Sequence, residues 1–154
     1  MRTLFALALV GLAFAPLALA GLNHSIGVDE NGVILSGYDA VAYFTQDKAV
    51  KGSPDITASY KGAIYRFSTK GNRDMFVKDP AKYAPQFGGW CAYGVALGKK
   101  FNVDGKAFAV LDGKLFMNLD KSIQKKWDKD RAKFIKDANE TWPGIVDKSA
   151  AELN

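Results

Sequence analysis

Ile56-Thr57-Ala58-Ser59-Tyr60-Lys61-Gly62-Ala63-Ile64-Tyr65-Arg66-Phe67 is the stretch from which the fold can be read. Two runs rich in β-branched and aromatic residues flank a Lys-Gly turn, the strongest hairpin signal in the chain. A second signal lies downstream, where Ala107 to Leu111 and Lys114 to Leu119 meet at Asp112-Gly113. Helical patterns surround both. Ser68 or Thr69 caps a helix from Lys70 to Lys78 that turns Met75 and Phe76 inward, and Asp79-Pro80 stops it. Ala81 to Tyr83 then makes a short turn.

Upstream, Val28 to Leu35 reads as a short strand broken by a turn at Asn31-Gly32, and Asp39 caps a helical turn with Val41, Ala42 and Tyr43 facing inward. Val95 to Lys100 reads as a strand edge or loop. Asp120 caps a long helix on which Ile123, Trp127, Phe134, Ala138 and Trp142 form one apolar stripe, and Pro143 ends it. The expected fold is α+β: a small single domain with antiparallel β-hairpins, a short middle helix and a long C-terminal amphipathic helix.

The ends carry a different message. Met1-Arg2-Thr3 is a short basic start, Leu4 to Leu17 is apolar, and Ala18-Leu19-Ala20 is a small-x-small cleavage pattern. Residues 1–20 therefore read as a secretory signal peptide, which places the mature chain in the periplasm or outside the cell. Cleavage leaves 134 of 154 residues and, with Arg2 gone, lowers the formal charge from +5 to +4. That length holds one real core. No later stretch is apolar enough to span a membrane. The lysines are scattered rather than striped, and the reading includes no nucleic-acid partner. Residues 21–32 are an arm and first turn, and 146–154 a frayed tail. A single cysteine allows no intrachain disulfide, so packing must carry stability.

That cysteine sits in Pro85-Gln86-Phe87-Gly88-Gly89-Trp90-Cys91-Ala92-Tyr93-Gly94, the densest cluster of glycine and aromatic residues. With only one histidine, His24, and that one on the arm, a Cys–His or Ser–His catalytic pair is excluded in practice. Zinc clusters need several Cys and His at fixed spacing. Gly88-Gly89 lacks the lysine–hydroxyl pair of a phosphate loop. Soft-metal binding survives, with Cu(I) held by Cys91 and Met75 or Met117. His24 would instead offer a square-planar Cu(II) arrangement of amine, backbone nitrogens and imidazole, and only as the third residue of a terminus trimmed of Gly21. All six tyrosines lie between Tyr38 and Tyr93. They could line a pocket around Cys91 with Asp39 as a charged acceptor, or serve as an amphipathic core.

The chain also resembles a known family. Gly37 to Phe44, Tyr60 to Phe67 and Phe76 to Tyr83 are similar to the YHS domain. The order in which Gly88 to Gly94, Asp112 to Leu119 and a tryptophan-bearing helix follow resembles the exported bacterial YHS-domain proteins. The resemblance runs from about Val33 to Ile145. It implies a compact α+β fold and metal binding, often of copper or heavy metals. Metal-binding members carry cysteines just after the Tyr-x-Phe strand and again four residues later. Those positions here are Ser68 and Asn72.

The function expected from residues and resemblance together is an exported, non-catalytic binding protein. It would hold a metal ion, copper first, or a small ligand near Cys91. Tyr38, Asp39, Tyr43, Trp90 and Tyr93 would be the walls, and Cys91, Met75, Met117 and His24 the metal ligands. The alternative is a periplasmic protein-interaction module with a buried structural Cys91. A third reading, a thiol redox enzyme, requires a depressed thiol pKa and an accessible sulfur.

Overall fold

Both turns that organise the sequence form the expected hairpins. The computed structural model describes residues 23–154, so the signal peptide expected at 1–20 lies outside the described residues. β1 (Ser53–Tyr60) pairs antiparallel with β2 (Ala63–Phe67), and β3 (Phe108–Leu111) with β4 (Lys114–Met117). Lys61-Gly62 and Asp112-Gly113 have positive φ at both central residues, as a type I′ turn requires. β1 begins earlier than its β-rich core suggested, and its register slips between Ser53 and Thr57 around Pro54. A bulge is where an edge strand tolerates proline.

Among the described residues the helices are α1 (Ala40–Gln46), α2 (Lys70–Lys78), α3 (Pro80–Tyr83), α4 (Ala92–Ala96), α5 (Lys121–Trp127), α6 (Arg131–Ile145) and α7 (Ala150–Leu153). The result is a mixed α+β domain with two hairpin sheets and a long helix near its C-terminal end.

β4 divides the interior. Successive side chains of a strand point to opposite faces. Leu115 and Met117 enter one hydrophobic cluster with Tyr43, Tyr65, Phe67 and Phe76, whereas Phe116 enters another with Trp90, Val95, Trp127 and Ala138. The first core is closed by α1 and α2 over the β1–β2 hairpin, the second by α4, α5 and α6. Isolated bridges from Pro85 to Leu115 and from Cys91 to Met117 lay the glycine-rich stretch along β4.

Several expectations are corrected. Met75 is 42% exposed; only Phe76 of that helix is buried. Ala81 to Tyr83 belongs to α3, and Val95 to α4 rather than a strand edge. The first predicted strand is reduced to bridges at Val28 and Val33 around the turn. The long terminal helix is two. Asp120 accepts the Ile123 N–H at 2.8 Å, and Asp130 caps anew by accepting from Lys133 at 3.1 Å. Pro143 lies inside α6, which runs on to Ile145. The tail is folded, with Ser149 and Glu152 forming a capping box at α7. Nor is the arm loose from residue 23 onward: the Gly27 N–H donates to the Gly88 carbonyl at 2.9 Å. A Cβ at Gly88 would stand 1.8 Å from the Ser25 oxygen, so this close approach requires glycine.

Candidate functional site

Asp39 is the most heavily bonded side chain of the first core. It is fully buried at the N-terminus of α1. One oxygen, Oδ1, accepts from the N–H groups of Val41 (2.9 Å) and Ala42 (3.2 Å). The other, Oδ2, accepts from Ser68 N (2.8 Å), Ser68 Oγ (2.6 Å) and Asn72 Nδ2 (2.8 Å). Thr69, not Ser68, caps α2, accepting from Asn72 N at 3.0 Å. Ser68 is thereby free to turn to the carboxylate. Five donors saturate a group with about four lone-pair sites.

Cys91 is equally buried and caps α4 with its sulfur. Sγ accepts from Gly94 N at 3.4 Å and Leu119 N at 3.2 Å, and its thiol faces Asn118 Oδ1 at 3.8 Å. Burial pushes the thiol pKa up, and the three backbone N–H groups of Gly94, Leu119 and Tyr93 offset only part of that. A sulfur that is both enclosed and protonated is inert. Asn118 Nδ2 and Trp127 Nε1, in the same core, have no partner among the described residues.

The proposed walls separate. Tyr43 donates to the Gly105 carbonyl at 2.7 Å, and Tyr38 lies half-buried beneath the Lys51 ammonium, 4.4 Å from its ring centroid. Both pack with the first cluster. Trp90 belongs to the second, and Tyr93 packs against Phe134 there at 4.9 Å. They do not enclose one cleft around Cys91. The proposed soft-metal set is also spread out. Met117 is buried beside Cys91, Met75 is on the outside of α2, and His24 lies on the arm with its carbonyl bonded to Trp90 Nε1 at 3.2 Å. Among the described residues no group of three or more His, Cys, Asp or Glu side chains is placed to hold a metal ion.

A roomy cleft lies elsewhere. A cavity of about 650 Å³ opens between the β1–β2 turn, α3, the arm and the end of α6. Tyr60, Tyr65, Pro85 and Trp142 supply its flat faces, and Ser25, Lys61 and Gln86 its polar ones. Tyr65 is only 3% exposed, yet no described residue bonds its hydroxyl. Burial, followed by the nearby Tyr60, raises its pKa above the ordinary tyrosine value. Behind the cleft, Lys100 is 1% exposed and its ammonium donates to the carbonyls of His24 (2.7 Å), Val146 (2.8 Å) and Lys148 (2.6 Å). It also lies over Trp90 and Trp142, 5.6 and 5.2 Å from their ring centroids. Desolvation lowers its pKa, while Asp147 and Glu152 pull it back up.

A family model described as the YHS domain matches residues 41–87. This segment is a YHS domain. The match runs from α1 to the residue before Gly88, narrower than the resemblance read from Val33 to Ile145, and stops short of Cys91. Neither the curated proteins nor the solved structures yield a match to the chain. Within the YHS segment, Ser68 and Asn72 occupy the positions at which the resemblance puts thiolates, and both side chains converge on Asp39. No thiolate stands at either position. A soft ion such as Cu(I) favours sulfur ligands, and this oxygen-and-amide set already spends its lone pairs on internal donors. The residues do not fit copper.

The cleft was missed by residue-type reasoning, though two of its parts had a signal. Alternation along β2 puts Tyr65 on the inward face, and Trp142 belongs to the α6 stripe. Lys100, in Lys99-Lys100-Phe101, carried none.

Proposed function

We propose that the chain is an exported, non-catalytic binding protein that holds a small organic ligand in the cleft between its YHS domain and the end of α6. The observation that carries this is the cavity of about 650 Å³, walled by aromatic faces and lined by Tyr65, whose hydroxyl has no partner among the described residues. That volume falls within the range of small-molecule sites, which are mostly apolar with a few placed polar groups. The inert environment of Cys91 favours a structural thiol over a redox one.

The test is a fragment screen by ligand-observed NMR on the mature chain and on Ala84→Trp, which puts an indole into the cleft. Hits that bind the former and not the latter support the reading. A screen without cleft-dependent hits sinks it and leaves the interaction module. Cu(I) and Zn(II) added to the same protein should leave its melting temperature unchanged, because an ion bound only by the folded state must raise it. Export is part of the reading; an intact mass beginning at Gly21 in protein recovered from the producing cell's envelope or medium would support it.

A further inference from the structure

We infer that the cleft selects a planar aromatic carboxylate, an inference that rests on the binding-protein reading and names the ligand class. The charges around the cavity are one-sided. None of its lining residues is an aspartate or glutamate, and Lys61 stands at its rim. A second cation lies directly behind the wall. The Lys100 ammonium is 2.8 Å from the carbonyl oxygen of Val146 and 5.2 Å from the ring of Trp142, and both residues line the cavity. No carboxylate pairs with it at ion-pair distance among the described residues. The C-terminus of α6 points its partial negative charge, about half an elementary charge, at the same place. One full ammonium outweighs it. Asp147 and Glu152 moderate the field of Lys100, and neither lines the cavity.

Shape completes the argument. Tyr60, Tyr65 and Trp142 present rings, and Ile26, Ile34 and Ala84 present small apolar surfaces, so the walls suit a flat hydrocarbon face. Tyr65 lines the cavity with a hydroxyl that no described residue bonds, and a carboxylate oxygen is an acceptor that would satisfy it. Lys61 would meet the same carboxylate from the solvent side. Its own ring neighbour, Tyr60, now lies 5.4 Å from its ammonium.

The experiment is calorimetric titration of the mature protein with 6-hydroxy-2-naphthoate and with its uncharged carboxamide. It is repeated on Lys61→Asn, Tyr65→Phe and Ala84→Trp. Asparagine tolerates the left-handed conformation of position 61, so that variant removes charge without breaking the turn. The expected result is binding of the carboxylate about tenfold tighter than the carboxamide, the scale of one solvent-exposed charge contact. Lys61→Asn should cut that ratio about threefold, Tyr65→Phe should weaken both probes, and Ala84→Trp should abolish binding. Equal affinity for the two probes overturns the anion preference while leaving a small-ligand site in place. Carboxylate binding that survives Ala84→Trp overturns the location. If neither probe binds the unaltered protein, the ligand class is wrong, and the fragment screen judges the broader reading separately.

Discussion

Asp39 and Lys100 are two buried charges, neither with an oppositely charged partner at ion-pair distance among the described residues, and they are satisfied in opposite ways. Asp39 collects five donors from the N-terminus of α1 and from Ser68 and Asn72, all within 33 residues of it. Lys100 collects three carbonyls from residues 46 to 76 positions away, on the arm and beyond α6. An isolated buried charge is costly unless neutral dipoles replace its hydration. The acid uses that arrangement to lock a local substructure, α1 onto α2 and β2. The base uses it to tie the two ends of the described chain to each other.

The largest effect expected is at Asp39. Asp39→Ala strands donors from Ser68 and Asn72 in the core and uncaps α1, at a cost of about 3–5 kcal/mol. Urea unfolding would measure it. A loss below about 1 kcal/mol would mean that the knot is ornamental and the comparison false. Lys100→Met keeps the length and the contact with the two tryptophans but takes the ammonium from the carbonyls of Val146 and Lys148 and leaves that of His24 only its bond to Trp90, for a loss of about 2–3 kcal/mol. Hydrogen exchange should show that loss concentrated in residues 23–27 and 146–154, with the β1–β2 amides unchanged. Uniform loss of protection would instead make the ends part of the same cooperative unit as Asp39.

Alkaline pH separates the regions by sign. Burial raises the pKa values of Tyr43 and Tyr65, both in the first core, above their unfolded value. The folded phenols keep protons that the unfolded chain releases, so this stability is present below about pH 10 and lost above it. Each group contributes a decline of about 1.4 kcal/mol per pH unit. Lys100, whose folded pKa is lowered, works in the other direction: its contribution grows as pH rises from the folded to the unfolded value. Absorbance at 295 nm should show the phenols of Tyr43 and Tyr65 ionising only with unfolding; the absence of such a delayed step would refute the burial argument. The smallest effect is expected at Cys91. Cys91→Ala replaces a weak sulfur cap and should cost about 1 kcal/mol. Alkylation of the native thiol should wait for denaturant, and prompt reaction would reopen the redox reading.

The hairpins were legible because their turns need residues that tolerate positive φ, and Lys61-Gly62 and Asp112-Gly113 advertise this locally. The cap at Asp39 was legible for the same reason, but its reach to Ser68 and Asn72 was not, since that depends on how α2 packs. The break between α5 and α6 was hidden by arithmetic. Trp127 and Phe134 are seven residues apart, a spacing equally compatible with one continuous helix. Met75 failed because a helix of nine residues with one buried side chain has little amphipathic pattern to read. The cleft depends on the arm meeting α6, a long-range contact that no local pattern encodes. A lysine in a polar stretch reads as solvated whether or not the fold later encloses it.

The Lys100 cage also has a consequence in time. Its donors and acceptors come from the arm, from the middle of the chain and from beyond α6, so a nascent chain can complete the β1–β2 hairpin and the Asp39 knot long before the cage. Closure waits until residues 146–154 have been synthesised. The final step of folding would then be a docking of chain ends onto an already formed first core, and a stalled or truncated polypeptide would expose Trp90 and Trp142 together.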